Sequence, residues 1–313
     1  MLSKNLNTYY AATNYFHRMP PSLYICETLI SLKLLDVLLP DSEFISLPCL
    51  KTLHLMGMRN LNEATFERLV SSCPVLEELD IYGCLNDNVK VLRVLSKSLK
   101  KLSVHGYFSG WSEVVIDSPR LWSLSIEANL FERFTITNID TNVELIIYPM
   151  SIFGNSDEAT LYSNINRFCS SLSSISKIRH MMFYGDPFKG YLCSKWLPTI
   201  LKSCSNLKSL ILVDQKRHLP YMDEISFSHV PECLVSSLEF VDFSVTLSRL
   251  VGEMNLVRYI LENSAILKKL TLRLHNDCSA KKDDLVNKLL KIPRGSTKCE
   301  VVFNWNREQV RFW

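Results

Sequence analysis

The stretch Cys73-Pro74-Val75-Leu76-Glu77-Glu78-Leu79-Asp80-Ile81-Tyr82-Gly83-Cys84 decides the architecture of this chain. Leu76, Leu79 and Ile81 form the phrase aliphatic-x-x-aliphatic-x-aliphatic, with polar residues in its gaps. Leu79 to Ile81 alternate with the two-residue period of a strand that buries one face. The phrase returns as Leu50-Lys51-Thr52-Leu53-His54-Leu55, and again at Leu99, Leu207 and Leu267. Further copies begin at Leu29, Leu121, Val143, Ile178 and Leu238. In a chain that is 47% hydrophobic, three apolar positions coincide at roughly one start in ten, so the inference rests on spacing and not on any single copy.

First positions at 29, 50, 76, 99, 121 and 143 are 21, 26, 23, 22 and 22 residues apart, and later gaps widen to 35, 29, 31 and 29. The early gaps match the period of leucine-rich repeats. A small residue stands three positions before the first aliphatic at Cys26, Cys73, Ser96, Ser118, Cys204 and Ser264. Cys84 ends its unit as the cysteine-containing variant of the repeat does, where that side chain bonds backbone groups of the turn leaving the strand. The expected fold is an α/β leucine-rich-repeat solenoid, with a curved parallel sheet on its concave side and helices and short strands on its convex side. Residues 1–22, closed by Met19-Pro20-Pro21, read as an irregular lead-in, 23–227 as repeats, 228–303 as a specialised end and 304–313 as a tail.

The 313 residues carry 35 basic and 32 acidic side chains, a net charge of +3 with the signs interspersed. A nucleic-acid binder concentrates its basic residues into a stripe, and none is present, so no nucleic-acid partner is expected. No segment has the length and apolarity of a membrane span or of a signal-peptide core, and no Asn-x-Ser/Thr sequon occurs. The expectation is an intracellular chain, cytoplasmic and/or nuclear. Of ten cysteines, Cys26, Cys73, Cys84 and Cys204 already occupy repeat positions, which favours reduced structural thiols over a disulfide framework.

Between strands the chain returns along the other side. Phe66, Leu69 and Val70 share a helical face after Asn62, a fitting N-cap, and Ile200, Leu201 and Cys204 do the same. Leu161, Ile165, Phe168, Cys169 and Leu172 predict a further helix. Val114-Val115-Ile116 and Phe134 to Thr137 are β-rich and predict strands or loops in place of helices.

With the aliphatic positions pointing inward, the residues between them face the concave surface. That register places Thr52, His54, Met56, Glu78, Asp80, Tyr82, Lys101, Ser103, His105, Ser123, Ser125, Glu127, His180, Met182 and Tyr184 on one sheet face. The mixture of His, Tyr, Met and carboxylates suits protein recognition.

From Val230-Pro231-Glu232-Cys233-Leu234 onward the chain resembles the FBD domain of plant F-box proteins with leucine-rich repeats. The matching blocks continue through Ser237-Leu238-Glu239, Glu253, Tyr259 to Asn263, Leu267 to Leu270, Pro293 to Ser296 and Cys299 to Phe303. Residues 21–34 are also similar to that family, although the Trp that often precedes the first block is absent from 220–229. The block reads as strand phrases at Leu238 and Leu267, helices near 253–263 and 283–291, and a last strand at 301–303, capping the solenoid. The resemblance implies a substrate-holding part of a cullin-RING ubiquitin ligase, joined to it by an F-box docked on a Skp-type adaptor. Repeats beginning by residue 23 leave no room for an F-box, so the adaptor is not an expected partner; a protein partner is.

No phosphate loop, G-x-G-x-x-G turn, C-x-x-C pair, H-x-x-x-H or G-x-S-x-G occurs, so no cofactor, metal or catalytic residue is assigned. His54, His105 and His180 belong to repeats too far apart to meet easily at one ion. Two other readings are a small-ligand receptor, with the insertion between Val143 and Ile178 as its loop, and a degenerate family copy with no selected partner. The in/out register makes a prediction. Leu79→Asp buries an unpaired carboxylate at a cost of several kcal/mol and should abolish cooperative urea unfolding of its repeats, whereas Tyr82→Ala should leave the midpoint nearly unchanged. Equal losses would show the register to be wrong.

Overall fold

A computed structural model describes residues 8–12, 21–38, 44–58, 62–83, 90–106, 113–127, 133–140, 142–148, 170, 178–185, 197–214, 229–245, 250–274 and 282–304. The chain divides into two compact units, Met1–Ile146 with Gly154–Ser174, and Ile147–Phe153 with Ile175–Trp313.

Several repeats are built the same way. A buried small residue opens a tight turn, as where Leu76 N–H donates to the Cys73 carbonyl (3.1 Å) and Leu121 N–H to that of Ser118 (2.9 Å). The first aliphatic then enters the core, and the next two N–H groups both donate to one carbonyl of the preceding repeat. Glu77 and Glu78 donate to Lys51 (2.8 and 2.9 Å), Lys100 and Lys101 to Glu77, and Trp122 and Ser123 to Lys100. The same shared acceptor recurs at Ile30, Lys208 and Glu239 and starts these strands in register with their neighbours.

In the first unit the strands are β1 (Thr8–Ala12), β2 (Ser31–Leu35), β3 (Thr52–Met56), β4 (Glu78–Tyr82), β6 (Lys101–His105), β8 (Ser123–Glu127) and β10 (Val143–Tyr148) in one parallel sheet, in that order. β1 pairs in parallel with β2, so the repeats start inside the segment expected to be an irregular lead-in. The phrase residues Leu50, Leu53, Leu55, Leu76, Leu79 and Ile81 are fully buried. β10 departs from the pattern: Val143, Leu145 and Ile147 are buried while Ile146 and Tyr148 are half-exposed, opposite to the phrase expected from Val143. Val143-Glu144-Leu145-Ile146-Ile147 carries aliphatics on both faces, so either alternation was open to it.

A second parallel sheet, β5 (Val91–Leu95), β7 (Glu113–Asp117) and β9 (Arg133–Asn138), forms the returns of these repeats. β7 and β9 are the β-rich returns expected from sequence; β5 was not foreseen. The helix α1 (Glu63–Ser71) stands against β5, with Asn62 accepting from Thr65 N–H (2.8 Å) and Phe66, Leu69 and Val70 buried. The Glu63 carboxylate accepts the N–H groups of Lys90 and Val91 (3.0 and 2.9 Å) and so caps the edge of this sheet.

The strands of the second unit, β11 (Ile178–Gly185), β12 (Ser209–Asp214), β13 (Phe240–Val245), β14 (Lys269–Leu274) and β15 (Glu300–Asn304), are parallel and paired in sequence order. Its returns include α2 (Leu197–Ser203), α3 (Glu232–Ser236), α4 (Leu250–Asn263) and α5 (Lys282–Leu290). Gly295 N–H closes the end of α4 on the Leu261 carbonyl (2.8 Å), and a Cβ there would stand 2.7 Å from the Glu262 carbonyl oxygen. The helix expected over 161–172 lies outside the described residues, except that Ser170 is helical; Cys84 and its turn lie outside them too.

The small-residue position is buried at Cys73, Ser96, Ser118, Cys204 and Ser264, while Cys26 is only half-buried. Cys73 donates to the Leu69 carbonyl (3.2 Å), and Cys233 reaches the Leu201 carbonyl (3.3 Å) of the preceding repeat. Burial pushes both thiols up to about 12, which keeps them protonated and unreactive.

At the ends of β2, β3, β4 and β6 stand Asp36, Gly57, Gly83 and Gly106, with φ of 53°, 62°, 57° and 104°. Asp36, Gly57 and Gly83 N–H groups donate to the carbonyls of Met56, Tyr82 and His105 (2.9, 2.8 and 2.8 Å). Gly106 ends the ladder on the Glu127 carboxylate. A Cβ on Gly106 would lie 2.6 Å from Gly83 N. Gly106→Ala should therefore cost about 1–3 kcal/mol, whereas Asp36→Gly should be neutral or stabilising by up to about 1 kcal/mol. Urea midpoints of both variants check this, and a loss at Asp36→Gly would mean that its carboxylate outweighs its strained backbone.

Candidate binding face

Register and period place nine of the expected residues in an array of three rows on three adjacent strands. Thr52, Glu78 and Lys101 form one row, His54, Asp80 and Ser103 the second, and Met56, Tyr82 and His105 the third. Every one is half-buried or exposed, while the intervening Leu53, Leu55, Leu79, Ile81, Leu102 and Val104 are buried. With strands about 4.8 Å apart and same-face residues about 7 Å apart, the array spans roughly 10 by 13 Å between Cα positions.

The charged residues of the array are paired across strands. Glu78 meets Lys101 Nζ at 2.9 Å, and Lys101 also lies over the Trp122 ring, 5.4 Å from its centre. Asp80 Oδ2 is 2.6 Å from His54 Nδ1. Burial raises the Asp80 pKa, but hydrogen bonds from His54 and Ser103 and the nearby imidazoles outweigh it and hold the carboxyl below its ordinary value. His105 Nε2 is 3.0 Å from Ser125 Oγ. Burial lowers the His105 pKa against the opposing pull of Glu127 and Asp80, favouring the neutral ring.

Further along the sheet the face closes. Ser123 and Ser125, expected to be solvated, are 9% and 7% exposed, so β8 is shielded on both sides. Glu127 is half-buried and committed to Gly106 N–H. In the second unit His180 is half-buried, and Met182, expected on the open face, is only 2% exposed. Its strand neighbour Ile211 is half-buried and Val213 is 8% exposed, so both sides of the sheet exclude water there. The Tyr184 side chain lies outside the described residues.

Sequence reasoning passed over several side chains of the same faces. Ser31, Lys33 and Leu35 extend the three rows onto β2, and the phrase at Leu29 already implied their phase. The position just ahead of each strand carries a second pairing, with Glu77 at 3.9 Å from Lys51 and 3.0 Å from Lys100. In the second unit Asp242 takes a two-pronged Arg273 guanidinium at 2.7 to 3.1 Å, both groups largely enclosed. Their spacing of 31 residues gives no local signal.

Among the described residues no group of three or more His, Cys, Asp or Glu could hold a metal ion, and no helix is long and apolar enough to cross a membrane.

Residues 225–272 match the FBD family model, and residues 4–149 match the model of the leucine-rich repeats of FBD-associated F-box proteins. Similar proteins of Arabidopsis thaliana include one named FBD-associated F-box protein, 48% identical over 92% of this chain and 73% of its own length. Another, named F-box/FBD/LRR-repeat protein, is 42% identical over 92% of this chain and 72% of its own, and a third, named FBD-associated F-box protein, is 37% identical over 92% and 69%. No solved structure matches.

The depressed His105 pKa sets a sign. A neutral ring favoured by folding contributes stability above its ordinary value of 6.5, and this is lost as pH falls through the lower folded-state value. The urea midpoint should fall as pH drops below about 6.5, and His105→Gln should flatten that part of the slope. Parallel slopes in the two proteins would refute it.

Proposed function

The chain belongs to the F-box/FBD/LRR-repeat family, and we propose on that footing that it retains a partner protein on the three-by-three array of its first unit, as the substrate-recognition part of an F-box protein. The observation that supports this reading is the array itself. Thr52, His54, Met56, Glu78, Asp80, Tyr82, Lys101, Ser103 and His105 form a contiguous patch of polar and aromatic side chains, with one methionine, that the core does not use. Its alternate residues are locked in the core, which holds the patch rigid, and rigid side chains lose little freedom on binding.

The array is smaller than a standard interface of roughly 800 Å² per partner, so it acts as the centre of a larger contact. Ser123, Ser125 and Glu127 support it from beside β6, Ser125 by orienting His105 and Glu127 by ending the glycine ladder. In the second unit Met182 is already enclosed, so it offers no comparable open position. The chain selects and holds in this reading, and bond chemistry belongs to the ubiquitin-ligase partners that the family resemblance implies. The FBD block serves the same end by continuing the strand ladder of the second unit through β13 to β15.

The test is affinity purification of the tagged chain from plant cells with quantitative mass spectrometry, comparing wild type, Asp80→Ala/Tyr82→Ala and Leu95→Ser. Leu95 lies exposed on the second sheet of the first unit and serves as the control. Specific partners should fall at least about tenfold in the double variant and persist in the control. Equal recovery in all three would overturn the reading. Co-recovery of cullin-RING components supports the ligase setting, and a face-dependent partner without them would remove that part.

A further inference from the structure

We infer that the row Leu35, Met56, Tyr82 and His105 is the anchor of that contact, and that it receives an uncharged, apolar side chain of the partner protein. This rests on the reading of the face given above.

The four residues are successive register partners on β2, β3, β4 and β6, about 4.8 Å apart from strand to strand. Met56 and Tyr82 are 40% and 55% exposed, and Leu35 is half-buried. Three large apolar side chains thus stand side by side where a sheet facing water ordinarily alternates to polar residues. Beyond Tyr82 the chain turns through Gly83, where a Cβ would meet nothing within 4 Å among the described residues.

The apolar character of the row selects the occupant, since its charged neighbours are already engaged with other groups. Glu78 pairs with Lys101, Asp80 lies at hydrogen-bond distance from His54 Nδ1, and Glu127 accepts from Gly106 N–H. The burial of His105 favours its neutral form, so the row ends without a charge. Also beside the row are Lys33 on β2 and Asp36 just after it, of opposite sign, with the Asp36 carboxylate lying over Gly57. A charged side chain from a partner would lose its hydration against Leu35, Met56 and Tyr82, whereas an apolar one covers them at no such cost.

The probe is a library of short random peptides displayed on phage, panned against the full chain with the heat-denatured chain as control. Enriched peptides are then measured by fluorescence polarisation against wild type, Met56→Ser/Tyr82→Ser and Leu95→Ser, whose urea midpoints are checked first. The expected peptides share an aromatic or aliphatic residue, and their Kd changes less than about twofold between roughly 50 and 500 mM salt. The Met56/Tyr82 variant should bind at least about tenfold more weakly, and Leu95→Ser as wild type. Enrichment of charged peptides with steep salt dependence, weakened by Lys101→Gln or Asp80→Asn but not by the apolar pair, would overturn the inference and leave the face reading standing. Binding insensitive to every face variant, or no enrichment over the denatured control, would sink both.

Discussion

In six of the described repeats one carbonyl oxygen, just ahead of the strand, accepts two successive N–H groups from the next repeat, and much else in each unit follows from that bond pair. Ile30, Lys51, Glu77 and Lys100 supply it in the first unit, and Lys208 and Glu239 in the second. Because the acceptor sits at the same place in these phrases, their strands cannot slip, and a one-residue slip would turn each aliphatic toward water. Equivalent positions therefore stack into rows. The inner rows become an aliphatic core, and the outer rows become a surface whose chemistry is decided several repeats at a time.

The outer rows carry their charges in pairs that cross from strand to strand. Exposed pairs such as Glu78 with Lys101 contribute little to stability, since both ends remain hydrated and the side chains lose freedom in meeting. Their larger effect is on recognition, because they remove bare charge from the face. The Asp242–Arg273 pair is more enclosed and two-pronged, so removing one partner would strand the other away from water. The same register that builds the core thus also sets which polar side chains remain available to a partner.

The repeat tolerates imperfect chemistry at its tight turns. The Ser118 and Ser264 hydroxyls are buried without a hydrogen-bond partner among the described residues, at positions where Cys73 and Cys204 fit as small apolar groups. Each such hydroxyl carries an uncompensated desolvation cost of about 1–3 kcal/mol, which the close packing of the turn must offset. At the other end of the strands, three glycines take up the left-handed turn with no Cβ penalty, and Asp36 does so at a cost.

The spacing of aliphatics by itself determined the parallel strand ladder, the core residues Leu50, Leu53, Leu55, Leu76, Leu79 and Ile81, and the N-cap at Asn62. Each of these follows from local period and side-chain type, which are properties of a short stretch of chain. The phase of the phrase likewise placed His54, Asp80 and Tyr82 on the outer face. Only the tertiary structure decided which outer positions stay open and what they meet. Ser123, Ser125 and Met182 have the same phase as Tyr82 yet are covered, and β10 buries the alternation opposite to its phrase. The strand at Thr8–Ala12, the edge cap of Glu63 on β5 and the pairing of His54 with Asp80 also join residues from separate repeats. Exposure and partnership depend on what packs across a face from elsewhere in the chain, and no periodicity within one repeat records that.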